Sequence, residues 1–210
     1  RLKSTVRIYA DFDRIDIRNE VHKEVSTERQ QMDFVFPLQI PDREYRLEQP
    51  GVIVDPEREM LPGAGLSAGV VRHFVDVFNS EHGVTLTLHD SFAIQFGRRT
   101  TTEDPQRIDD SATIYALALG NIYDANEAIH DQAGARDFIF RFSISGHVGG
   151  FNAEGAVRRS WEAVFPLEVV HIADSNDGSL PPASDFLSIS PANVLLAGCK
   201  PAEDGDDGLV

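Results

Sequence analysis

The fold is decided by the stretch VVRHFVDVFNSEHGVTLTLHDSFAIQFG, which runs from Val70 to Gly97. β-Branched and aromatic residues dominate it, as a pleated and half-buried surface favours. Asn79–Gly83 interrupts them with turn-forming residues, among them a glycine that is free to adopt positive φ. The apolar pattern stops after Phe96. The stretch therefore predicts three successive strands, forming a meander at the centre of a β-sandwich.

Alternation of apolar and polar residues extends the β pattern in both directions. It predicts a hairpin over residues 5–25 with one buried face, further strands at 32–40, 45–47, 52–54, 113–119 and 138–144, and closing strands at 186–189 and 194–197. Pro37 lies inside the strongest alternating run, so that strand is expected at a sheet edge or a bulge.

Residues 155–165 depart from this alternation. Val157, Trp161 and Val164 recur at helical spacing, and Pro166 ends the run. The spacing favours core packing for Trp161 over a role as a sugar-stacking platform. We therefore predict a mainly β protein, with one antiparallel β-sandwich domain over residues 1–210 and one short helix near 155–165.

The composition excludes several classes of partner. A net charge of -15 argues against nucleic acid, which requires a clustered basic surface. No run of about 18 apolar residues is present, so no membrane span is expected. The chain also begins directly on an amphipathic pattern without a signal-type apolar core. We expect a segment of a longer protein, with a cytoplasmic location favoured.

The basic residues are strongly biased toward arginine. Lys3, Lys23 and Lys200 are the only lysines among 19 basic residues. A dense acidic surface with little lysine indicates a protein adapted to high salt, where surface charge preserves solubility.

Cys199 is the only cysteine of the sequence, so no disulfide and no thiolate metal cluster can form within the chain. It follows the apolar run Val194–Gly198, which favours a buried and inert thiol over a nucleophile.

Motifs for catalysis are weak. Gly65–Gly69 matches the Gly-x-Ser-x-Gly pattern, but a nucleophile elbow needs a strand before Ser67 and a helix after it. A strand is expected after Ser67 instead.

Carboxylates that could pair across a glycosidic bond include Asp13, Asp16, Asp76 and Glu103–Asp104, without a sequence signal for their pairing. The histidines are scattered and the acidic tail at 203–208 lacks the ligand pattern of a calcium loop, so no metal site is expected.

Three residues are candidates for sugar contacts. Arg98 and Arg99 close the central stretch, and paired guanidinium groups can clamp hydroxyls or carboxylates; the alternative is surface pairing with Glu103 and Asp104. His147 lies among glycines at a strand end. It could contact a ligand or form structural hydrogen bonds to loop carbonyls.

Several segments, in order along the chain, resemble the C-terminal β-domain of glycoside hydrolase family 38, the α-mannosidase family. The matching segments are Asp13–Val21, Leu61–Gly63, Phe74–Val77, Gly83–Leu86, Phe140–Phe142, His147 with Gly149, Ala156–Arg158, Pro166–Leu167, Phe186–Ile189 and Lys200–Gly205. The resemblance covers essentially the whole chain.

This resemblance implies a galactose-mutarotase-like supersandwich that belongs to a retaining exo-glycosidase. In that family the zinc ligands and the carboxylate nucleophile lie in an N-terminal catalytic domain and a helical middle region. The chain itself is therefore expected to need no cofactor and to be inactive alone, with zinc held by the catalytic domain. Arg98 or Arg99 matches a position at which an arginine approaches the bound sugar.

The expected function is thus that of a non-catalytic domain that supports a catalytic domain and edges a mannoside-binding cleft. Two alternatives stay open at the level of sequence. One is an independent carbohydrate-binding module. The other is a mutarotase-like epimerase, which needs a histidine and a carboxylate flanking one open sheet face.

Overall fold

The computed structural model describes all residues except 28–29, 99–107, 121–133, 170, 172–180, 182, 186, 192 and 204–210. The strands of the described part are β1 (Leu2–Ile8), β2 (Ile15–His22), β3 (Gln31–Leu38), β4 (Glu44–Gln49), β5 (Val52–Val54), β6 (Ala68–Val70), β7 (Phe74–Phe78), β8 (His82–Leu88), β9 (Ala93–Phe96), β10 (Ala112–Gly120) and β11 (Asp137–Val148). One helix, α1 (Ala153–Val164), follows them.

The strands form two antiparallel sheets. The wider sheet has the order β1-β2-β11-β8-β7-β4-β5, and the narrower one has the order β3-β10-β9-β6. The expected antiparallel β-sandwich with one short helix is confirmed. Pro37 lies on β3, an edge strand, as expected for a residue without a backbone N–H to donate to a ladder.

The central stretch does not form the predicted three-stranded meander. β7 and β8 are a hairpin of the wider sheet, whose turn is closed by Asn79 Oδ1 accepting from the backbone N–H of Glu81 (2.9 Å) and His82 (3.0 Å). β9 instead belongs to the narrower sheet. The β8–β11 ladder ends where the chain leaves the wider sheet, and there the Asp90 carboxylate accepts from the backbone N–H of Arg141 at 2.8 Å.

The core lies between the two sheets and is rich in aromatic residues. Phe142 of β11 packs edge-on against Phe36 of β3, with ring centroids 5.0 Å apart. Tyr45 of β4 packs against Phe96 of β9 at 4.8 Å. Burial of each such side chain stabilises the fold by about 1.5–3 kcal/mol. The residues that face each other across the sandwich come from distant parts of the chain.

The hairpin predicted over residues 5–25 is confirmed as β1 and β2, but the burial expected for its apolar face is wrong in β1. Leu2, Val6 and Ile8 share the core side of the sheet with Ile17 and Val21, yet they are 57–75% exposed. Because β1 is the outermost strand of the wider sheet, the four narrower-sheet strands do not bury it.

Helix α1 begins after Asn152, whose side chain accepts from the backbone N–H of Gly155 at 2.8 Å. It ends at Val164, two residues before Pro166, close to the predicted bounds. Its buried residues are Ala156 and Ser160, and it contacts β7, β8 and β11. The short, small-residue face allows the helix to lie close to the sheet.

The chain divides into two compact units, Arg1–Pro166 and Leu167–Val210. The first contains both sheets and α1. Within the described residues of the second, the closing strands predicted at 186–189 and 194–197 do not form. Leu187, Val194 and Leu196 are 47–56% exposed. Alternation of apolar residues therefore did not suffice to form a strand here, since a strand also needs a neighbouring strand to pair with. The expectation of one domain over residues 1–210 stays a prediction.

Cys199 lies in the second unit and is exposed, so the predicted burial of its thiol is wrong. The apolar run before it, from Val194 to Ala197, is also exposed or half-buried. An apolar neighbourhood in sequence buries a side chain only where tertiary packing covers it.

Candidate functional site

The candidate site lies on the outer face of the wider sheet, which is the side turned away from the narrower sheet. Alternation places polar side chains there, and many of them are buried, among them Asp76, Thr85, Ser143 and Ser145. Helix α1 crosses this face. The helix therefore packs on a polar surface, and the contacts beneath it are hydrogen bonds as well as apolar contacts.

Asp16 of β2 is the centre of one polar cluster. Its Oδ1 accepts from Ser143 Oγ at 2.6 Å, and the Arg14 Nε atom lies 3.0 Å from the same oxygen. Its Oδ2 accepts from the Tyr9 hydroxyl. Burial pushes the pKa of Asp16 up, but the Ser143 and Tyr9 hydrogen bonds and the Arg14 charge outweigh burial, so the pKa is lowered. Asp16 is therefore an ionised acceptor and a poor base.

Ser143 links Asp16 to His89. Because an ionised carboxylate can only accept, the Ser143 proton points to Asp16, and Ser143 Oγ accepts from His89 Nε2 at 2.9 Å. His89 is thus protonated on Nε2. Burial is the main cause that lowers the pKa of His89, and the Arg141 charge adds to it. The group that holds the Ser143 proton is Asp16, whose lowered pKa makes it a poor base, so Ser143 is not an activated nucleophile.

Arg141 and Asp90 form a bidentate ion pair next to this cluster. Arg141 Nε and Nη2 donate to Asp90 Oδ2 and Oδ1 at 2.9 and 2.7 Å. Burial raises the pKa of Asp90, but the hydrogen bonds from Arg141 dominate and lower it overall. The pair fixes the point at which the chain crosses to the narrower sheet.

A second polar cluster lies beneath α1. Asp76 of β7 is fully buried; its Oδ2 accepts from Thr85 Oγ1 at 2.6 Å, and its Oδ1 lies 3.2 Å from His147 Nε2. Arg159 of α1 donates to Thr85 Oγ1 at 3.5 Å. Burial raises the pKa of Asp76, opposed by Thr85, His147 and Arg159. Of these contacts, the Arg159–Thr85 bond joins α1 to the sheet.

A third contact holds the C-terminal half of α1. Glu48 of β4 is buried and accepts from His73 Nδ1 at 3.0 Å and from Trp161 Nε1 at 3.1 Å. The Trp161 ring also meets Phe165 edge-on, with centroids 6.4 Å apart. Trp161 therefore packs between α1 and the sheet, with its indole N–H satisfied.

Two grooves of the first unit lie on the outer face beside α1. The larger, of about 440 Å³, is lined by Phe12, Asp13, Arg14, Ser145, Gly146, Arg159 and Glu162. The smaller, of about 210 Å³, is lined by Thr5, Arg7, Asp16, Ile17, Arg18, His89, Arg141, Phe142, Ser143, Ala163, Val164 and Pro166. We call the larger one the turn groove, because the β1–β2 turn forms one wall. Asp16 lines the smaller groove and pairs with Arg14, which lines the larger one.

The structure separates the residues predicted to contact sugar. His147 lies near the end of β11, not in a loop; its side chain is 9% exposed and is bonded to the Asp76 carboxylate rather than to loop carbonyls. Arg98 is exposed in the bend after β9, on the narrower sheet. Arg99, Glu103 and Asp104 lie outside the described residues. A role in sugar binding stays a prediction for Arg98, Arg99 and His147.

Other expectations from the sequence are confirmed. Ser67 is followed by the strand β6 and not by a helix, so the nucleophile elbow is absent at that position. The structure also shows His73 and His89 hydrogen-bonded and at least partly buried.

The described residues hold no group of three metal-ligating side chains, and no described helix has the length and apolar character needed to cross a bilayer. Of the acidic tail at 203–208, residues 204–208 lie outside the part of the chain that the structure describes.

Sequence reasoning missed the residues that build the turn groove. Tyr9, Phe12, Arg14 and Arg159 belong to no motif, and α1 is separated from the β1–β2 turn by about 140 residues of sequence. The available signal was the pair of aromatic residues around the Asp11–Asp13 turn. An aromatic side chain in an otherwise acidic turn is not expected in the hydrophobic core, so it indicates a contact made at the protein surface.

Comparisons with known proteins support the fold. No family model matches the chain, and no curated protein resembles it in sequence. Among solved structures, the chain is similar to an alpha-mannosidase from Enterococcus faecalis V583, with a TM-score of 0.57 and 12% sequence identity. The match covers 79% of this chain and 18% of the alpha-mannosidase chain. The fold thus corresponds to a small part of a much larger protein.

Proposed function

We propose that the chain is a non-catalytic β-sandwich domain of an α-mannosidase-like glycoside hydrolase of family 38. In this role it supports the catalytic domain and edges the sugar-binding cleft. The observation that carries the proposal is the fold, which matches a segment amounting to 18% of an alpha-mannosidase. Membership of the family, the mannoside substrate and the partner domain are parts of the proposal.

The chemistry of the described residues supports a non-catalytic role. A glycosidase needs one carboxyl group that is protonated near neutral pH and a second carboxylate across the scissile bond. Asp16 and Asp90 both have lowered pKa values and are held by arginine. Asp76 has a raised pKa, but it is fully buried under α1. Zinc, in this proposal, is held by the catalytic domain.

The residues predicted to contact sugar each have a role in this proposal. Arg98 is exposed at the end of β9, where a flexible guanidinium could reach a sugar bound mainly by another domain. Arg99 is the second candidate for the same contact. His147 would act through Asp76, by holding the sheet under α1.

The residues of the outer face do not support the alternative function of a mutarotase-like epimerase. His89 and Asp16 do flank this face, but Ser143 joins them in a closed hydrogen-bonded chain. An acid–base pair needs groups that can exchange protons with a ligand. The lowered pKa of Asp16 makes it a weak base.

The proposal is tested with an antiserum raised against this chain and applied to an extract of the source cells. We expect an immunoblot band far above the 23.2 kDa of the chain. We also expect immunodepletion to remove chelator-sensitive hydrolysis of an aryl α-mannoside, with pre-immune serum as the control. A band at about the mass of the chain, or α-mannosidase activity that is not depleted, would overturn the proposal.

A further inference from the structure

The turn groove has the shape of a small-ligand site. Its walls are the β1–β2 turn, with Phe12, Asp13 and Arg14, and the part of α1 that carries half-buried Arg159 and exposed Glu162. Its volume of about 440 Å³ falls within the range of sites for small molecules. The groove lies away from the buried core, so its polar side chains are not needed to fill space.

Phe12 contributes a half-exposed aromatic ring to one wall of this groove. Its ring stacks on Tyr9 with centroids 4.2 Å apart, and the Arg14 guanidinium carbon lies 4.9 and 5.1 Å from the Phe12 and Tyr9 centroids. These three distances make a nearly equilateral triangle, so Arg14 lies beside the stacked pair. The Phe12 face opposite Tyr9 is covered by neither residue, and Phe12 is 48% exposed.

The Phe12 platform is held in place before any ligand arrives. The Tyr9 hydroxyl donates to Asp16, and Asp16 is in turn bonded to Ser143 on the neighbouring strand. Arg14 is paired with the same carboxylate. A turn that is fixed by three contacts loses little conformational entropy on binding.

The groove is lined by side chains of both charges. Arg14 and Arg159 supply guanidinium donors, while Asp13 and Glu162 supply carboxylate acceptors. Arg159 makes a single 3.5 Å hydrogen bond to Thr85 Oγ1, and its buried Nε has no hydrogen-bond partner among the described residues. Because that Nε is closed to solvent, a ligand in the groove would bond the Nη atoms of Arg159. An anion would meet two carboxylates in the same groove, and a cation would meet two guanidinium groups.

We propose that the turn groove binds a neutral saccharide, with one sugar ring stacked on Phe12 and its hydroxyls bonded to Arg159 and Glu162. Vicinal hydroxyl groups both donate and accept, which matches paired carboxylate and guanidinium groups without a net charge. The C–H groups of a pyranose carry the apolar surface that the ring face of Phe12 would cover.

The test is calorimetric titration of the purified chain with neutral disaccharides, namely α-mannobiose, maltose and cellobiose, and with glucuronate as the charged comparison. We expect saturable millimolar binding of at least one neutral disaccharide and weaker binding of glucuronate. Phe12→Ala should weaken binding at least fivefold. Phe92→Ala is the matched control, because Phe92 is 66% exposed and does not line either outer-face groove.

Glu162→Gln provides a second variant that leaves the Phe12 platform intact. Glu162 is exposed on α1, so the fold is retained, and binding should weaken severalfold. Absence of saturation with all three disaccharides, tighter binding of glucuronate, or equal affinities for the Phe12→Ala and Phe92→Ala variants would overturn the proposal. This test is independent of the α-mannosidase proposal, since either can fail while the other holds.

Discussion

Asp16 and Ser143 are direct neighbours on β2 and β11, and the Ser143 hydroxyl donates to the Asp16 carboxylate at 2.6 Å across 127 residues of sequence. The contact joins β2 to β11, two strands of the wider sheet that are far apart in sequence. Through Tyr9 and Arg14, the same carboxylate also holds the β1–β2 turn. Asp16 therefore organises the surface on which both grooves lie.

Replacement of Asp16 by Asn should destabilise the fold at neutral pH. We expect the free energy of unfolding to fall by about 1–2 kcal/mol, because hydrogen bonds to a charged group are exchanged for neutral ones. The folded pKa of Asp16 lies below its unfolded value. The loss of unfolding free energy is thus full above about pH 4. It disappears as the pH falls through the folded pKa of Asp16, because the carboxylate is then protonated in the unsubstituted chain as well. Urea unfolding at several pH values measures it.

The control for this measurement is Asp13→Asn, in the same turn. Asp13 is exposed, so we expect a change within about 0.5 kcal/mol. Equal effects of the two substitutions would contradict the central role of Asp16.

His89 should titrate below the ordinary histidine range. Burial lowers its pKa, so the imidazole stays neutral at pH 7 with its proton on Nε2. The unfolded chain takes up the second imidazole proton more readily than the folded chain does. The contribution of His89 to stability is therefore present above about pH 6.5 and is lost on acidification. Nitrogen-15 NMR of the ring reports both tautomer and pKa, with a free histidine peptide as the reference. An Nδ1–H tautomer would contradict the hydrogen-bond direction.

A methyl group at Gly83 should clash with the cluster under α1. A Cβ at this position would lie 2.4 Å from the His147 ring and 2.6 Å from Phe78 Cβ. We expect Gly83→Ala to cost about 1–3 kcal/mol of unfolding free energy, as overpacking of a buried site does. Gly146→Ala is the matched control on β11, since a Cβ there would meet no described atom within 4 Å. Thermal unfolding should show a lower Tm only for Gly83→Ala.

Trp161→Phe should weaken the attachment of α1. The substitution removes the indole N–H and leaves the buried Glu48 with one donor fewer. We expect a loss of about 1–2 kcal/mol in chemical unfolding followed by circular dichroism. Glu162→Gln, on the exposed side of the same helix, should change stability by less than about 0.5 kcal/mol. A Trp161→Phe variant as stable as the unaltered chain would show that Glu48 needs no donor from α1.

Salt should stabilise this chain. A net charge of -15 creates self-repulsion in the compact state, and added ions screen it at distances beyond about 10 Å at 0.1 M. We expect the free energy of unfolding in urea to rise between 0.1 and 2 M KCl. A decrease over this range would contradict adaptation to high salt.

Much of the fold could be predicted from local patterns. Alternation and the content of β-branched and aromatic residues located every described strand of the first unit except the separate strand β6. Pro37 indicated an edge strand, and the spacing of Val157 and Trp161 indicated α1. These signals depend on neighbours within a few residues. The predicted strands near Leu187 and Leu196 were wrong, because a strand also needs a partner edge, which alternation does not reveal.

The sequence by itself determined the β content, the turn at Asn79, the end of α1 before Pro166 and the acidic character of the surface. Only the tertiary structure decided that β9 leaves the wider sheet, that β1 extends beyond the cover of the narrower one, and that the turn groove forms. The physical reason is the separation in sequence between the residues that interact. Backbone conformation follows from local sterics and hydrogen bonding, whereas the meeting of Asp16 with Ser143 requires the register of strands far apart in the chain.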